Sequence, residues 1–434
     1  MKIPYFNYST NDLAVQPRGG RSTIDGQRNL WIELIQSGAD ILPLTIDSKT
    51  RLGMVDDAGI LHQQAIRSNT ETLNGFPLLS VNFGEVKELM GEFAVPKSLR
   101  HGTPIPLRLI KRALDVGISE IEGGPLSYTL PYSRDVALST ALESWESSER
   151  ECSRFQKMYG IEIVREHFGI LTACLVHPLQ AILSNILEGI FTLNLDGGKP
   201  MASFGSTGCD YQDLATIEAF KRVVYWVNEY FENKQHESYI AFHHWMGPFP
   251  KSEKDSISII EKGTQIAILS KANKVVTKTI QEASGVPSNN ANASAVKLVK
   301  QLIKNSKTEE YKKRINQTLV DEESEYLFLE STRQLKMILH ANNISNIKEI
   351  MLDAVLEGYI DPSFSPHKSC LKKTKVLRAL DGSLRISSDF KGRCSDNFVK
   401  REARFLGKNC YYSNYSADEL KIQITHPTIG AESD

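Results

Sequence analysis

Along the first two thirds of the chain, short apolar runs alternate with longer segments in which apolar residues recur at helical spacing. The nine runs are Leu13–Arg18, Ile41–Asp47, Leu78–Phe83, Ser98–His101, Glu120–Gly124, Ile163–Gly169, Ala202–Ser206, Tyr239–Met246 and Lys274–Thr279. The helical segments include Gln27–Gly38, Val86–Phe93, Pro106–Val116, Ser139–Gly160, Asp210–Asn233 and Ile257–Leu269. Strands that alternate with helices indicate a parallel sheet with both faces covered.

The number of these strand–helix units favours an α/β fold of the closed (β/α)8 TIM-barrel type. Nine candidate strands are one too many, so one run lies outside the barrel, and the pattern does not say which. The 434 residues also leave room for a further region. We therefore predict a barrel over residues 1–290, a helical extension over 291–360 and a small irregular appendage over 361–434, beginning at the helix-breaking Pro362.

Composition excludes several classes of partner and location. A formal net charge of −1 gives no overall field toward nucleic acid or an anionic membrane. The six cysteines are widely spaced and form no Cys-x-x-Cys pair, as expected for reduced thiols in a cytoplasmic protein. The first residues lack the apolar core of a signal peptide. The most apolar segment, 168–195, contains His177 and Glu188, which favours a loop and a buried helix over a membrane span.

Three arginines follow the ends of predicted strands, where a barrel enzyme carries its site. They are Arg18, Arg51 and Arg100. A guanidinium at a barrel mouth is costly to desolvate unless an anion pairs with it, and arginine binds a carboxylate through two parallel N–H bonds. The three together predict a dicarboxylate ligand. The alternative is that one or two of them form ordinary ion pairs with Asp47, Glu122 or other barrel carboxylates.

Glu122 closes the run before Gly123 and is a candidate base or partner for a substrate ammonium group. A structural ion pair explains it equally well. Tyr128 and Tyr132 follow, and their phenols can donate hydrogen bonds to a carboxylate, although tyrosines in such a loop more often pack.

Other motifs exclude some chemistry. His243 and His244 are adjacent, so they point to opposite faces of a strand and do not readily share a metal ion. We expect no bound zinc, because neither His-Glu-x-x-His nor a Cys/His cluster is present. The aromatic and glycine-containing segment 245–250 suits a flat apolar ligand or a packed loop. Lys278 and Glu282 have the spacing of a helix ion pair.

Several blocks occur together in a fixed order. They are Gln-Pro-Arg-Gly-Gly at 16–20, Thr-Ile-Asp-Ser-Lys-Thr-Arg at 45–51, Leu-Asn-Gly-Phe-Pro at 73–77, Arg-His-Gly-Thr-Pro at 100–104, Glu-Gly-Gly at 122–124, Ser-Tyr-Thr-Leu-Pro-Tyr at 127–132, Phe-His-His-Trp-Met-Gly-Pro-Phe-Pro at 242–250 and Lys-Thr-Ile-Gln-Glu-Ala-Ser-Gly-Val-Pro at 278–287. In this order the chain resembles the large (epsilon) subunit of coenzyme-B12-dependent glutamate mutase, also called methylaspartate mutase.

The resemblance implies an isomerase that rearranges the carbon skeleton of L-glutamate to (2S,3S)-3-methylaspartate through radicals generated from adenosylcobalamin. It assigns substrate contacts to Arg18, Arg51, Arg100, His101, Glu122, Tyr128 and Tyr132, with Glu122 near the amino group. It assigns the cobalamin and adenosyl side to Gly20, Asn74, Pro131, Phe249, Lys278, Glu282 and Val286.

The resemblance also implies a partner. The cobalt-binding motif Asp-x-His-x-x-Gly is on a separate small (sigma) subunit in this family, and this chain contains no Asp-x-His. The family pattern is a homodimer of the large subunit within a heterotetramer. This chain departs from the family at Pro125 and Pro248, where glycines are usual, and it begins later than family members relative to its first motif. The alternatives are another barrel lyase or mutase for a related dicarboxylic amino acid, and a non-catalytic partner-binding relative.

Overall fold

Eight parallel strands form one sheet in the order β1-β8-β7-β6-β5-β4-β3-β2. The computed structural model describes residues 3–9, 12–170, 175–230, 237–305, 308–340 and 346–406. The strands are β1 Ala14–Gln16, β2 Leu42–Thr45, β3 Lys97–Arg100, β4 Glu120–Glu122, β5 Val164–His167, β6 Lys199–Gly205, β7 Tyr239–His243 and β8 Lys274–Val276. The outer strands β1 and β2 are joined because Thr45 N–H donates to the Gly19 carbonyl at 3.0 Å and Asp40 N–H to the Val15 carbonyl at 3.0 Å. The predicted (β/α)8 barrel is confirmed.

Helices cover the outside of the barrel and continue beyond it. They are α1 Ile24–Gln36, α2 Ser48–Arg51, α3 Val55–Ser68, α4 Phe83–Gly91, α5 Leu107–Asp115, α6 Leu138–Tyr159, α7 Pro178–Asn194, α8 Asp210–Tyr230, α9 Glu253–Leu269, α10 Asn289–Lys304, α11 Thr308–Lys312, α12 Gln317–His340, α13 Ile347–Leu356 and α14 Asp396–Phe405. A short 3₁₀ helix spans Ile280–Ser284. In the described part of the chain, no helix combines the length and the apolar character that crossing a membrane requires.

The ninth candidate strand, Leu78–Phe83, is the run outside the barrel. Its backbone closes local turns, since Ser80 N–H donates to the Pro77 carbonyl at 2.9 Å instead of to a neighbouring strand. Asn82 then caps α4 by accepting from Gly84 N–H at 2.8 Å. Apolar content alone does not separate such a packed turn from a strand.

The barrel interior changes character from bottom to top. At the amino ends of the strands it is apolar, and Tyr8 packs there among Ala14, Ile41, Val164, Met201 and Ala241. Above this layer the inward side chains are charged or polar, whereas branched apolar residues usually fill such barrels. They include Arg100, Glu120, Glu122, Glu166, Ser203, His243 and Lys274, all buried.

The region after the barrel packs on its outside. The antiparallel strands β9 Thr374–Arg378 and β10 Leu384–Lys391 form a hairpin that the sequence pattern did not reveal. Arg385 lies 2.8 Å from Glu323 on α12 and 2.9 Å from Glu402 on α14, with all three side chains buried. These ion pairs connect the hairpin to the helices. Residues 407–434 of the predicted appendage lie outside the described residues.

Candidate active site

The three arginines lie at the carboxyl ends of adjacent strands. Arg100 is the last residue of β3, Arg18 follows β1, and Arg51 ends the short helix α2 after β2. Asp47 starts that helix by accepting from Thr50 N–H at 2.9 Å, so its carboxylate serves as a cap. Arg51 is turned back to the barrel, where its Nε donates to the Ile46 carbonyl at 2.6 Å.

Arg100 forms an ion pair with Glu122, the last residue of β4, and the Tyr128 hydroxyl donates to the same carboxylate. The ion-pair alternative therefore holds for Arg100. Its guanidinium is 2% exposed, and within the described residues its Nε and Nη2 groups have no hydrogen-bond acceptor. Buried donors of this kind are costly, so this side of Arg100 suits an anionic ligand.

Positive charge exceeds negative charge around these arginines. Burial lowers the pKa of Arg51, an effect that Tyr128 opposes and the nearby Arg18 reinforces. Burial also raises the pKa of Glu122, while Arg100 acts in the opposite direction. Three guanidinium groups lie near the single carboxylate of Glu122, which leaves two positive charges for a ligand to balance. A molecule with two carboxylates meets that requirement.

His101 is a neutral donor beside this group. Thr103 N–H donates to its Nδ1 at 3.2 Å, so Nε2 carries the proton, and Nε2 has no acceptor among the described residues. Burial, together with Arg165 and Arg51, lowers the pKa of His101 well below its usual range. The ring stacks on Trp145 with centroids 5.7 Å apart, which fixes its orientation.

Gly123 allows Tyr128 to reach Glu122. Its φ of 101° lies in the region that favours glycine, and a Cβ there would be 2.2 Å from a ring carbon of Tyr128. Tyr132 lies farther out, 45% exposed, with its ring centroid 5.3 Å from that of Tyr128. The two tyrosines thus differ in access to water.

The residues assigned to the cofactor lie in loops at the same end of the barrel. A Cβ on Gly20 would be 2.2 Å from the Thr45 carbonyl oxygen, and Asn74 accepts from Ser48 N–H at 2.9 Å. Lys278 lies 2.6 Å from Glu282, although it precedes the 3₁₀ helix and is not in it. Burial lowers the pKa of Lys278 to about 8. Phe249 is buried, Pro131 is half-buried and Val286 is 65% exposed.

Exposed apolar side chains surround the barrel mouth. Leu52 and Met54 follow α2, Ile105 follows β3, and Val286 follows the 3₁₀ helix. Leu52 is 72% exposed. Side chains of this kind on several strand-to-helix loops form a surface that suits a large, flat and partly apolar ligand.

A second charged group, which the sequence pattern did not reveal, lies beneath the arginines. Glu166 accepts from Ser203 Oγ at 3.0 Å, contacts His243 Nε2 at 2.9 Å and pairs with Lys274 Nζ at 2.7 Å. Alternation along β5 to β8 points all four side chains inward, and this was the available signal. Tyr8 donates to Glu120 at 2.8 Å, and Lys274 also pairs with that carboxylate at 2.9 Å.

Among the described residues, Glu122, Glu166 and His243 have the spacing that a metal ion requires. Arg100 pairs with Glu122, and Lys274 pairs with Glu166. The cluster is therefore explained by ion pairs without a metal. His244 points outward, where its Nε2 lies 3.2 Å from Thr264 Oγ1, as expected for the residue next to His243.

A family model for the methylaspartate mutase E chain matches residues 7–391, a span that contains every candidate site residue from Arg18 to Val286. The chain belongs to the methylaspartate mutase E-chain family. Among curated relatives of this family, the glutamate mutase epsilon subunit of Yersinia enterocolitica is 29% identical over 86% of this chain and 76% of its own length. The protein of the same name from Haloarcula marismortui is 31% identical over 87% and 76%. That from Halobacterium salinarum is 30% identical over 96% and 86%.

Two solved structures that are similar to this chain are distant in sequence. The truncated 3-deoxy-D-arabino-heptulosonate 7-phosphate synthase of Thermotoga maritima has a TM-score of 0.38 and 9% identity, covering 68% of this chain and 86% of its own. The tryptophan synthase alpha subunit of Legionella pneumophila has a TM-score of 0.36 and 12% identity, covering 68% and 95%. The strand order of this chain, and not these similarities, establishes its barrel.

Proposed function

We propose that this chain is the large catalytic subunit of an adenosylcobalamin-dependent glutamate mutase. The reaction is the rearrangement of L-glutamate to (2S,3S)-3-methylaspartate. Membership of the methylaspartate mutase E-chain family supports the proposal, as do the curated relatives named glutamate mutase epsilon subunits. The observation that carries it is the group of three arginines around one buried carboxylate, because this combination matches an amino dicarboxylate.

Each side chain has a specific task in this proposal. Arg18, Arg51 and Arg100 bind the two substrate carboxylates, and the free N–H groups of Arg100 supply one such contact. Glu122 accepts hydrogen bonds from the substrate ammonium group and serves as the catalytic carboxylate. His101, through its protonated Nε2, and Tyr132 donate to substrate carboxylate oxygens, while Tyr128 donates to Glu122 and contacts the substrate from beside it. This fixed geometry holds the substrate in one orientation and excludes water from it.

In this proposal the barrel mouth binds the cofactor. The apolar rim gives a large flat ligand a surface to cover. Gly20, Asn74, Pro131, Phe249, Lys278, Glu282 and Val286 would hold adenosylcobalamin on this side. When bound, it would supply the radical chemistry that a carbon-skeleton rearrangement requires.

The cobalt ligand comes from a second protein in this proposal. This chain has no Asp-x-His sequence, and the relatives are named as subunits. We infer that a small sigma subunit with the Asp-x-His-x-x-Gly motif binds at the barrel mouth and encloses the cofactor. The assembly would be a heterotetramer with two copies of each chain, located in the cytoplasm.

The test is reconstitution. This chain, a small Asp-x-His-x-x-Gly subunit, adenosylcobalamin and L-glutamate are combined anaerobically, and 3-methylaspartate is measured by chromatography. Electron paramagnetic resonance during turnover should show a cobalt-coupled radical. Product formation that requires both chains supports the proposal. A cobalamin-loaded assembly that yields no product from any dicarboxylic amino acid would refute it.

A further inference from the structure

Glu166 lies directly below the proposed substrate site. It is paired with Glu122 in the register of β4 and β5, so both carboxylates point into the barrel. The positive charge of Arg100 acts to lower the pKa of both carboxylates. Glu166 belongs to none of the contacts proposed above, yet it is fully buried and has three partners, Ser203, His243 and Lys274.

The partners of Glu166 keep it ionised. Burial favours the protonated form, but Lys274 and the hydrogen bond from His243 hold the pKa of Glu166 well below its usual range. A carboxylate in this state accepts hydrogen bonds and cannot donate one. The contact at 2.9 Å therefore requires that Nε2 of His243 carries a proton.

The opposite nitrogen of His243 is then an acceptor. Burial lowers the pKa of His243 to about 4, although Glu166 opposes this and Arg100 adds to it, so the ring is neutral at pH 7. With Nε2 protonated, Nδ1 carries a lone pair. Nδ1 is buried and has no hydrogen-bond donor among the described residues. The His243 ring and the Phe168 ring form a T-shaped contact with their centroids 5.3 Å apart, which fixes the orientation of the histidine.

We propose that Glu166 and His243 form a positioning pair, in which Glu166 selects the tautomer of His243 and Nδ1 of His243 accepts a hydrogen bond from the substrate ammonium group. The proposal rests on the proposed function, which supplies an amino dicarboxylate. An ammonium group has three N–H donors, and Glu122 is already engaged by Arg100 and Tyr128. One ring nitrogen of His243 and one carboxylate oxygen each of Glu122 and Glu166 lie within 4.8 Å of one another, so His243 is next to the carboxylate that is proposed to bind the ammonium group.

The positioning pair should make binding selective for dicarboxylates that carry an amino group. Wild-type chain should bind L-glutamate more tightly than glutarate, which has both carboxylates but no ammonium group. His243→Phe retains the ring volume and removes the acceptor. It should reduce L-glutamate affinity about 10- to 150-fold, the value of one hydrogen bond to a charged group. Glutarate affinity should stay within about twofold, because its contacts are made by the arginines.

Calorimetric titration of both ligands measures this ratio, with the full chain alone and in complex with the small subunit. His62→Phe is the matched control, since that buried histidine lies on the outer helix α3, where it contacts the Ser22 carbonyl. Glutarate binding reports folding of each variant. A His243→Phe chain that still prefers L-glutamate as the wild type does overturns the positioning pair. Equal wild-type affinity for the two ligands would instead argue against the proposed function.

A second measurement reads the tautomer directly. Nitrogen-15 spectra of histidine-labelled chain, assigned by the signals lost in His243→Phe, should show a protonated Nε2 and an unprotonated Nδ1 at pH 7. Glu166→Gln removes the charge that selects this tautomer, so Nδ1–H signals should appear and the L-glutamate preference should decrease. An imidazolium ring, or an Nδ1–H tautomer in the wild type, contradicts the proposal.

Discussion

Replacing Arg100 by lysine separates the charge of this side chain from its geometry. Arg100 is almost fully buried, pairs with Glu122 through Nη1 and has Nε and Nη2 free within the described structure. A lysine keeps the positive charge but has no planar fork, so it contacts one carboxylate oxygen at a time. The change removes the second of two parallel bonds to a ligand while leaving Glu122 with a cation.

The expected loss follows from these contacts. One charge-assisted hydrogen bond contributes about 1.5–3 kcal/mol, which corresponds to a decrease in kcat/KM of about 10- to 150-fold. Arg100→Lys should destabilise the protein less than removal of the charge, because Glu122 keeps a cationic partner. Arg100→Met, in contrast, leaves a buried carboxylate unpaired and should lower the free energy of unfolding by about 3–5 kcal/mol.

Steady-state formation of 3-methylaspartate by the reconstituted enzyme gives kcat/KM, and denaturant unfolding gives stability. Arg150→Lys is the control, since that arginine pairs with Glu146 on the surface of α6 and is 66% exposed. A kcat/KM for Arg100→Lys within twofold of wild type, with unchanged unfolding, would mean that Arg100 serves only as the structural partner of Glu122.

Three further predictions concern the support of the site. Gly123→Ala forces a Cβ to 2.2 Å from the Tyr128 ring. We therefore expect kcat to fall at least about 10-fold and the near-ultraviolet tyrosine signal to change. A variant whose kcat and spectrum equal those of the wild type would refute the steric argument. Glu149→Ala leaves the buried Arg165 unpaired and should cost about 3–5 kcal/mol in urea unfolding, a loss that an additional Arg165→Met should largely reverse. Burial raises the pKa of Glu188 to about 7, so its contribution to stability is complete below pH 4.5 and is lost as pH rises through 7. Glu188→Gln should flatten this pH dependence, and equal slopes in both proteins would contradict the assignment.

The barrel was predictable because eight strand–helix units repeat one pattern. The arginines were predictable because each follows a strand end, where side chains converge. The ambiguity at Leu78–Phe83 was real, since a packed turn buries apolar residues as a strand does, and only the hydrogen bonds distinguish them. The pairing of Arg100 with Glu122 was one of two alternatives that charge counting left open.

The layer below the arginines could not be derived in the same way. Glu166, His243 and Lys274 come from three strands and meet only when the barrel closes. Within its own sequence segment, each of these residues is equally consistent with an ordinary surface or core position. The hairpin β9–β10 was missed for a related reason, since its buried Arg385 looks like a surface residue until Glu323 and Glu402 are placed beside it.

The charged filling of this barrel affects how the protein can change through mutation. The interior contains a series of buried ion pairs, in which Arg100 contacts Glu122, and Lys274 contacts both Glu166 and Glu120. A single substitution in the series leaves a neighbour unpaired, whereas an apolar barrel core accepts many single replacements. New substrate preferences in this scaffold should therefore arise through paired, charge-conserving substitutions, and libraries that vary one interior position at a time would miss them.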